Sequence, residues 1–71
     1  MLNEDLGNRL REAVYELPES YRLVLVLRDM GGFSTSETAR ILDLSVKNIE
    51  VRLLGARLFV RRKQTDYFDH E

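Results

Sequence analysis

SETARILDLSVKNIEVRL, residues 36–53, decides the fold. Ala39, Ile41, Leu42 and Leu44 supply the apolar side of a short helix over about 35–43. Ser34 is followed three residues later by Glu37, the pattern of a capping box. In such a box, hydroxyl and carboxylate each satisfy an orphan backbone N–H at the helix start. Asp43 stands at the break, and aspartate tolerates the left-handed conformation better than most residues with a side chain. Ser45 then offers the cap of a second helix over about 46–63. Within it, Val46, Ile49, Leu53, Ala56 and Val60 recur at spacings of 3, 4, 3 and 4, one apolar stripe facing a core. Ala39 is small where two crossing helices would come close. Helix, tight break and helix together make a helix-turn-helix.

Two more helices precede this pair. In LNEDLGNRLREAVYELP, Leu2, Leu6, Leu10, Ala13, Val14 and Leu17 fall at helical spacing, predicting a helix over about 3–16 with Asn3 or Asp5 as cap. Pro18 ends it, because the residue before proline disfavours helical backbone. The same proline suits the first turn of the next helix, over about 19–30, where its missing N–H does no harm. Glu19 sits near the positive end of that helix dipole. LVLVL, residues 23–27, could form a buried strand. Tyr21, Val24, Leu25 and Arg28 instead repeat at 3–4 spacing, and Gly31-Gly32 supplies a stop, so helix is the better reading. The tail QTDYFDHE, residues 64–71, has no periodicity and is expected to fray as a disordered acidic segment. The fold class is therefore all-α: a four-helix domain over 1–63 with a C-terminal helix-turn-helix and no wing.

At 71 residues this is one small domain with a core of marginal size. It has no cysteine, so neither disulfides nor thiolate metal sites can reinforce it. The longest apolar run, Leu23 to Leu27, is far too short to span a membrane, and no signal-peptide pattern opens the chain. The expectation is a cytoplasmic protein, or a fragment of a longer one, with no membrane partner. Net charge is near zero but unevenly spread. Residues 1–43 carry five basic and eight acidic groups; residues 44–63 carry six basic groups against Glu50 alone; residues 64–71 add three acids. A basic stripe confined to one helix suits a polyanionic partner. A solvated helix face is the plainer alternative.

The whole stretch LPESYRLVLVLRDMGGFSTSETARILDLSVKNIEVRLLGAR resembles region 4 of bacterial sigma-70-family factors, especially the extracytoplasmic-function type. That pattern runs L-P-x-x-Y-R-x-V-x-x-L-R-D, then G-x-S-x-x-E-x-A, then L-x-L-S/P-V, then V-x-x-R-L-x-x-A-R. It is matched here at Leu17, Pro18, Tyr21, Arg22, Val24, Leu27, Arg28 and Asp29. The match continues through Gly32, Ser34, Glu37, Ala39, Leu42, Leu44, Ser45 and Val46 to Ile49, Arg52, Leu53, Ala56 and Arg57. The resemblance covers about residues 10–62. A helix-turn-helix alone is a weak signal; the lead-in makes this one specific.

The resemblance implies a domain that binds the −35 promoter element through its last helix and docks on the flap of the RNA polymerase β subunit through its earlier helices. Anti-sigma factors cover those same surfaces. At about 100° per residue, the last helix turns Lys47, Val51, Leu54, Gly55, Leu58 and Arg62 outward. Asn48, Arg52 and Phe59 lie on one flank; Glu50, Arg57 and Arg61 lie on the other. Its N-terminal part would enter the major groove. Lys47 would reach phosphate or guanine, Asn48 adenine or phosphate, Arg52 guanine, and Val51 a thymine methyl. Ser36 would meet phosphate beside free backbone N–H groups. Arg57, Arg61 and Arg62 would add salt-sensitive attraction. Tyr21 and Arg22 match the polymerase-facing segment, while Arg28 and Asp29 read better as ion partners that support the fold.

Some positions depart from the family pattern. Glu50 stands where lysine is usual, and Leu54 and Gly55 where histidine and arginine are frequent. Glu50 meets phosphates with the wrong sign, although a carboxylate can accept from cytosine N4. Outward Val51, Leu54 and Leu58 leave apolar surface of the kind that marks a partner site. They motivate a second reading: a sigma-like module that binds an anti-sigma factor, polymerase or itself, with little DNA binding. A packed face against the first helix or the tail is the bland alternative. An enzyme is not expected, because the sequence has no glycine-rich phosphate loop and no convergent histidine and acid groups. His70 is not read as a ligand or base, and no metal or cofactor is implied.

Overall fold

The structure, a computed structural model, describes residues 4–69. Helix α1 spans Glu4–Glu16, α2 Glu19–Leu25, α3 Thr35–Leu42 and α4 Val46–Asp69, and α2 continues without a break into a π turn over Val26–Met30. The described residues contain no strand and no wing. The domain is all-α, as the periodicities predict.

Pro18 sets the first corner. Its own backbone is extended (φ −54°, ψ 147°), so it caps α2 from outside rather than occupying the first helical position. Its carbonyl accepts from the Tyr21 and Arg22 amides at 3.0 and 2.9 Å. The second corner is wider. The Gly31 amide donates to the Val26 carbonyl at 2.8 Å, a five-residue span that adds one residue to the turn. Gly32 then takes a left-handed φ of 73°, a conformation open to glycine at little cost. Arg28 pins the resulting loop by donating from Nη1 to the Phe33 carbonyl at 2.7 Å.

Helix α4 is the spine against which α1, α2 and α3 all pack. Ala13, Val14 and Leu17 of α1, Val24 and Leu25 of α2, Ala39 of α3, and Ile49, Leu53 and Ala56 of α4 form the core. Tyr21, Val26, Leu42, Leu44, Phe59 and Val60 close around it, half-buried. Thr38 is fully buried as well, and its hydroxyl has no partner. Periodicity did not single it out, because threonine reads as polar although its methyl packs like valine.

Several sequence expectations need correction. Val46 and Ile41, assigned to the core side, are 45% and 53% exposed. Each stands beside the turn, where no third helix covers it. Gly55, assigned outward, is half-buried against the Tyr21 ring of α2. Asp5 lies inside the first turn of α1 rather than at its cap. Leu2, Asn3, His70 and Glu71 lie outside the described residues.

The tail expectation also changes, since α4 runs on through Asp69. Lys63 lies 3.6 Å from the Glu16 carboxylate and sits over the Phe59 ring at 5.6 Å, and the Thr65 hydroxyl donates to the Arg61 carbonyl at 3.0 Å. Neither glycine nor proline interrupts residues 64–69. Lost apolar periodicity there does not mark the absence of a helix.

Candidate nucleic-acid interface

Local chemistry fixes the helix-turn-helix at three points. Ser34 Oγ accepts from the Glu37 amide at 3.0 Å, and the Glu37 carboxylate accepts from the Ser34 amide at 2.8 Å. The Ser34 backbone N–H foremost, and then the Ser34 side chain, hold the Glu37 carboxyl below its ordinary range. Asp43 takes φ 56°, ψ 48°, the left-handed cap of α3. The Leu44 amide can then donate to the Ala39 carbonyl at 2.9 Å. Ser45 Oγ accepts from the Asn48 amide at 3.1 Å and starts α4. Ile49, fully buried, and Ala39 lock the two helices together.

This framework places the N-terminal turns of α4 at the surface. Lys47, Asn48, Glu50 and Val51 are exposed there, and Arg52 is half-buried on the Asn48 flank. Ser36 of α3 lines a shallow concavity in front of the turn together with Arg40, Asp43 and Val46. The structure therefore gathers Ser36, Lys47, Asn48, Glu50 and Val51 at one end of the domain. It adds Arg40, one helical turn beyond Ser36, which the sequence reading passed over. Its spacing of four residues from Ser36 was the signal.

Two arginines assigned to DNA stand elsewhere. Arg57 donates from Nη2 and Nε to the two Asp29 carboxylate oxygens, at 2.5 and 3.1 Å. Asp29 is thus the ion partner of Arg57 rather than of Arg28. The bidentate bond, followed by the charges of Arg57 and Arg28, holds the Asp29 carboxyl below its ordinary range. It raises Arg57 correspondingly. Both side chains remain partly exposed, 51% for Arg57 and 37% for Asp29, so the pair contributes only about 0.5–1 kcal/mol. Arg61 rims an apolar groove between α1 and α4, lined by Leu10, Val14, Leu25, Met30 and Val60. It lies 14 residues beyond Lys47, about 21 Å along the helix, more than the width of a major groove.

The earlier helices present a different surface. Tyr21 is half-buried and packs on the core, so its ring supports α4. Arg22 donates to the Tyr15 carbonyl at 3.2 Å and braces the end of α1. Tyr15, Leu23 and Met30 are 74%, 39% and 61% exposed. With Arg11, Arg22 and Val26 they line a second apolar groove between α1 and α2. These three residues escaped the sequence reading because they sit off the apolar stripes used to define the core. Leu54 and Leu58 stay outward as predicted, 61% and 47% exposed. Among the described residues no cluster of histidine and acidic side chains could hold a metal ion, and no helix is long and apolar enough to cross a membrane.

A family model described as sigma-70, region 4 matches residues 7–60. The ECF RNA polymerase sigma-E factors of Salmonella typhimurium LT2 and Escherichia coli K12 are each 33% identical over 63 residues, covering 89% of this chain and 33% of the relative. That of Haemophilus influenzae is 29% identical over the same length. The chain spans about a third of the length of the curated relatives it matches.

Proposed function

The chain belongs to the sigma-70 region 4 family, and from that premise we propose that it takes part in transcription initiation by binding the promoter −35 element. The observation that carries this reading is the capped α3–turn–α4 unit with Lys47, Asn48, Glu50 and Val51 exposed on the first turns of α4. In the proposed pose those turns enter the major groove. Lys47 and Asn48 contact base edges or phosphate, Val51 touches a thymine methyl, and Glu50 accepts from cytosine N4. Ser36 and Arg40 clamp the flanking backbone. Arg52, half-buried, swings its guanidinium out along the Asn48 flank toward guanine. Arg57 acts through the fold by its bond to Asp29, and Arg61 contributes only diffuse charge.

Docking on the RNA polymerase β-subunit flap is the second half of the proposal. Exposed Tyr15, Leu23 and Met30 in the α1–α2 groove support it. An apolar groove of that kind takes an apolar partner segment, and an anti-sigma factor would compete for the same surfaces. A non-enzymatic role follows from this reading. The alternative, a protein-binding module with little DNA affinity, is favoured by Glu50, which puts negative charge on the groove-facing turn.

Fluorescence anisotropy with a short duplex library of −35-like sites, titrated with salt, tests the choice. Sequence-dependent binding that weakens about fivefold or more in Lys47→Ala or Arg52→Ala supports promoter recognition, each base contact being worth about 1–3 kcal/mol. Arg40→Ala should lower the salt slope by about 0.9. Absent binding that Glu50→Lys restores identifies a reader blunted by one charge. Absent binding in every variant favours the protein-binding module.

A further inference from the structure

Promoter recognition uses Val51 on the outer face of α4 but leaves the apolar residues that follow it unexplained. Val51, Leu54 and Leu58 are 57%, 61% and 47% exposed. They follow one another at spacings of three and four, a narrow apolar seam of the kind that pairs two helices. Among the described residues no other element covers it. At about 100° per residue, Glu50 and Arg61 border this seam on the same side. That placement has a consequence for self-pairing. When two copies of a helix pack antiparallel about a twofold axis, the same flank of each meets the other. In the register that sets Leu54 on the partner's Leu58, Glu50 comes level with the partner's Arg61 and Arg62. The seam is therefore complementary to itself in charge.

We propose that α4 docks antiparallel against α4 of a second copy of this chain through Val51, Leu54 and Leu58, with Glu50 paired to the partner's Arg61. The paired area is one helix face, below the roughly 800 Å² per partner of a stable complex. The dimer is accordingly weak and forms at high concentration. It also covers Glu50 and Val51, so dimer and −35 duplex exclude each other; this last clause rests on the proposed promoter recognition, whereas the dimer itself does not.

Sedimentation equilibrium of the chain without DNA, from about 10 μM to about 1 mM, reads the dimer directly, a range set by micromolar-to-millimolar affinities. The apparent mass is expected to climb from 8.3 kDa toward twice that value. Leu54→Lys should hold the chain at the single mass, with unchanged circular dichroism because the residue is exposed. E50R and R61E should each weaken pairing about tenfold, and the E50R/R61E double variant should restore it. A single mass throughout overturns the proposal, as does a dimer indifferent to Leu54→Lys or to the charge exchange. With the dimer established, added −35 duplex should return the mass to one chain per duplex. A dimer that binds the duplex intact overturns the exclusion while leaving the pairing in place.

Discussion

Gly55→Ala separates a buried from an outward position on α4 by the sign of its effect. An outward glycine within a helix costs about 1 kcal/mol relative to alanine, so replacing it stabilises. At Gly55, however, an added Cβ would lie 2.9 Å from Tyr21 Cε2 and 3.5 Å from Cδ2. Carbon atoms prefer about 3.5–4.0 Å, so the ring has to withdraw by at least about 0.6 Å. Tyr21 packs against the core cluster and cannot withdraw alone. Overpacking of that kind costs about 1–3 kcal/mol. Set against the propensity gain, the net expectation is a loss of about 1 kcal/mol, or about 4–8 °C in Tm for a domain this small. Gly7→Ala is the matched control, since nothing lies within 4 Å of its added Cβ, and it should raise Tm. On a Tyr21→Ala background, Gly55→Ala should turn stabilising by about 1 kcal/mol, because only the propensity term is left. Thermal melts followed by circular dichroism give all three comparisons. If Gly55→Ala raises Tm as Gly7→Ala does in the parent chain, the Tyr21 ring does not rest on Gly55 and the packing of α2 on α4 is misassigned.

Other expectations follow from the same packing. Thr38→Val removes a buried hydroxyl without a partner while keeping its shape, and should raise the urea midpoint by an amount equivalent to about 1 kcal/mol. Ser34→Ala removes the hydroxyl that accepts from the Glu37 amide while keeping the backbone N–H that donates to the Glu37 carboxylate, and should lower stability by about 1 kcal/mol, read as a lower urea midpoint with an unchanged slope. Asp29→Asn loses the charge that Arg57 grips. Because the Asp29 carboxyl is held below its ordinary value when folded, its contribution is fully present above the unfolded value and fades as pH falls through the lowered folded value. The parent chain should exceed Asp29→Asn in stability by about 0.5–1 kcal/mol at neutral pH, and the two should converge in strong acid.

The helix count, the capping box at Ser34, the left-handed break at Asp43 and the start of α4 at Ser45 can all be read from the order of the amino acids. These are local events. A hydroxyl three residues before a carboxylate, or a residue that tolerates positive φ, acts on its own neighbours and needs no distant partner. The central stripe of α4 was legible for the same reason, since Ile49, Leu53 and Ala56 are buried whatever packs on them. The edges of the apolar faces were decided by tertiary structure. Val46 and Ile41 share the helical spacing of core residues yet face water beside the turn, because periodicity gives a direction around a helix and not whether another helix covers that arc. Gly55 sits on the same wheel as Leu54, but α2 happens to cross there and Tyr21 fills the space. The pairing of Arg57 with Asp29 joins residues 28 apart, so no local pattern could choose between it and Arg28. It is that long-range choice, made by how α2 and its π turn lie against α4, that ties Arg57 to Asp29.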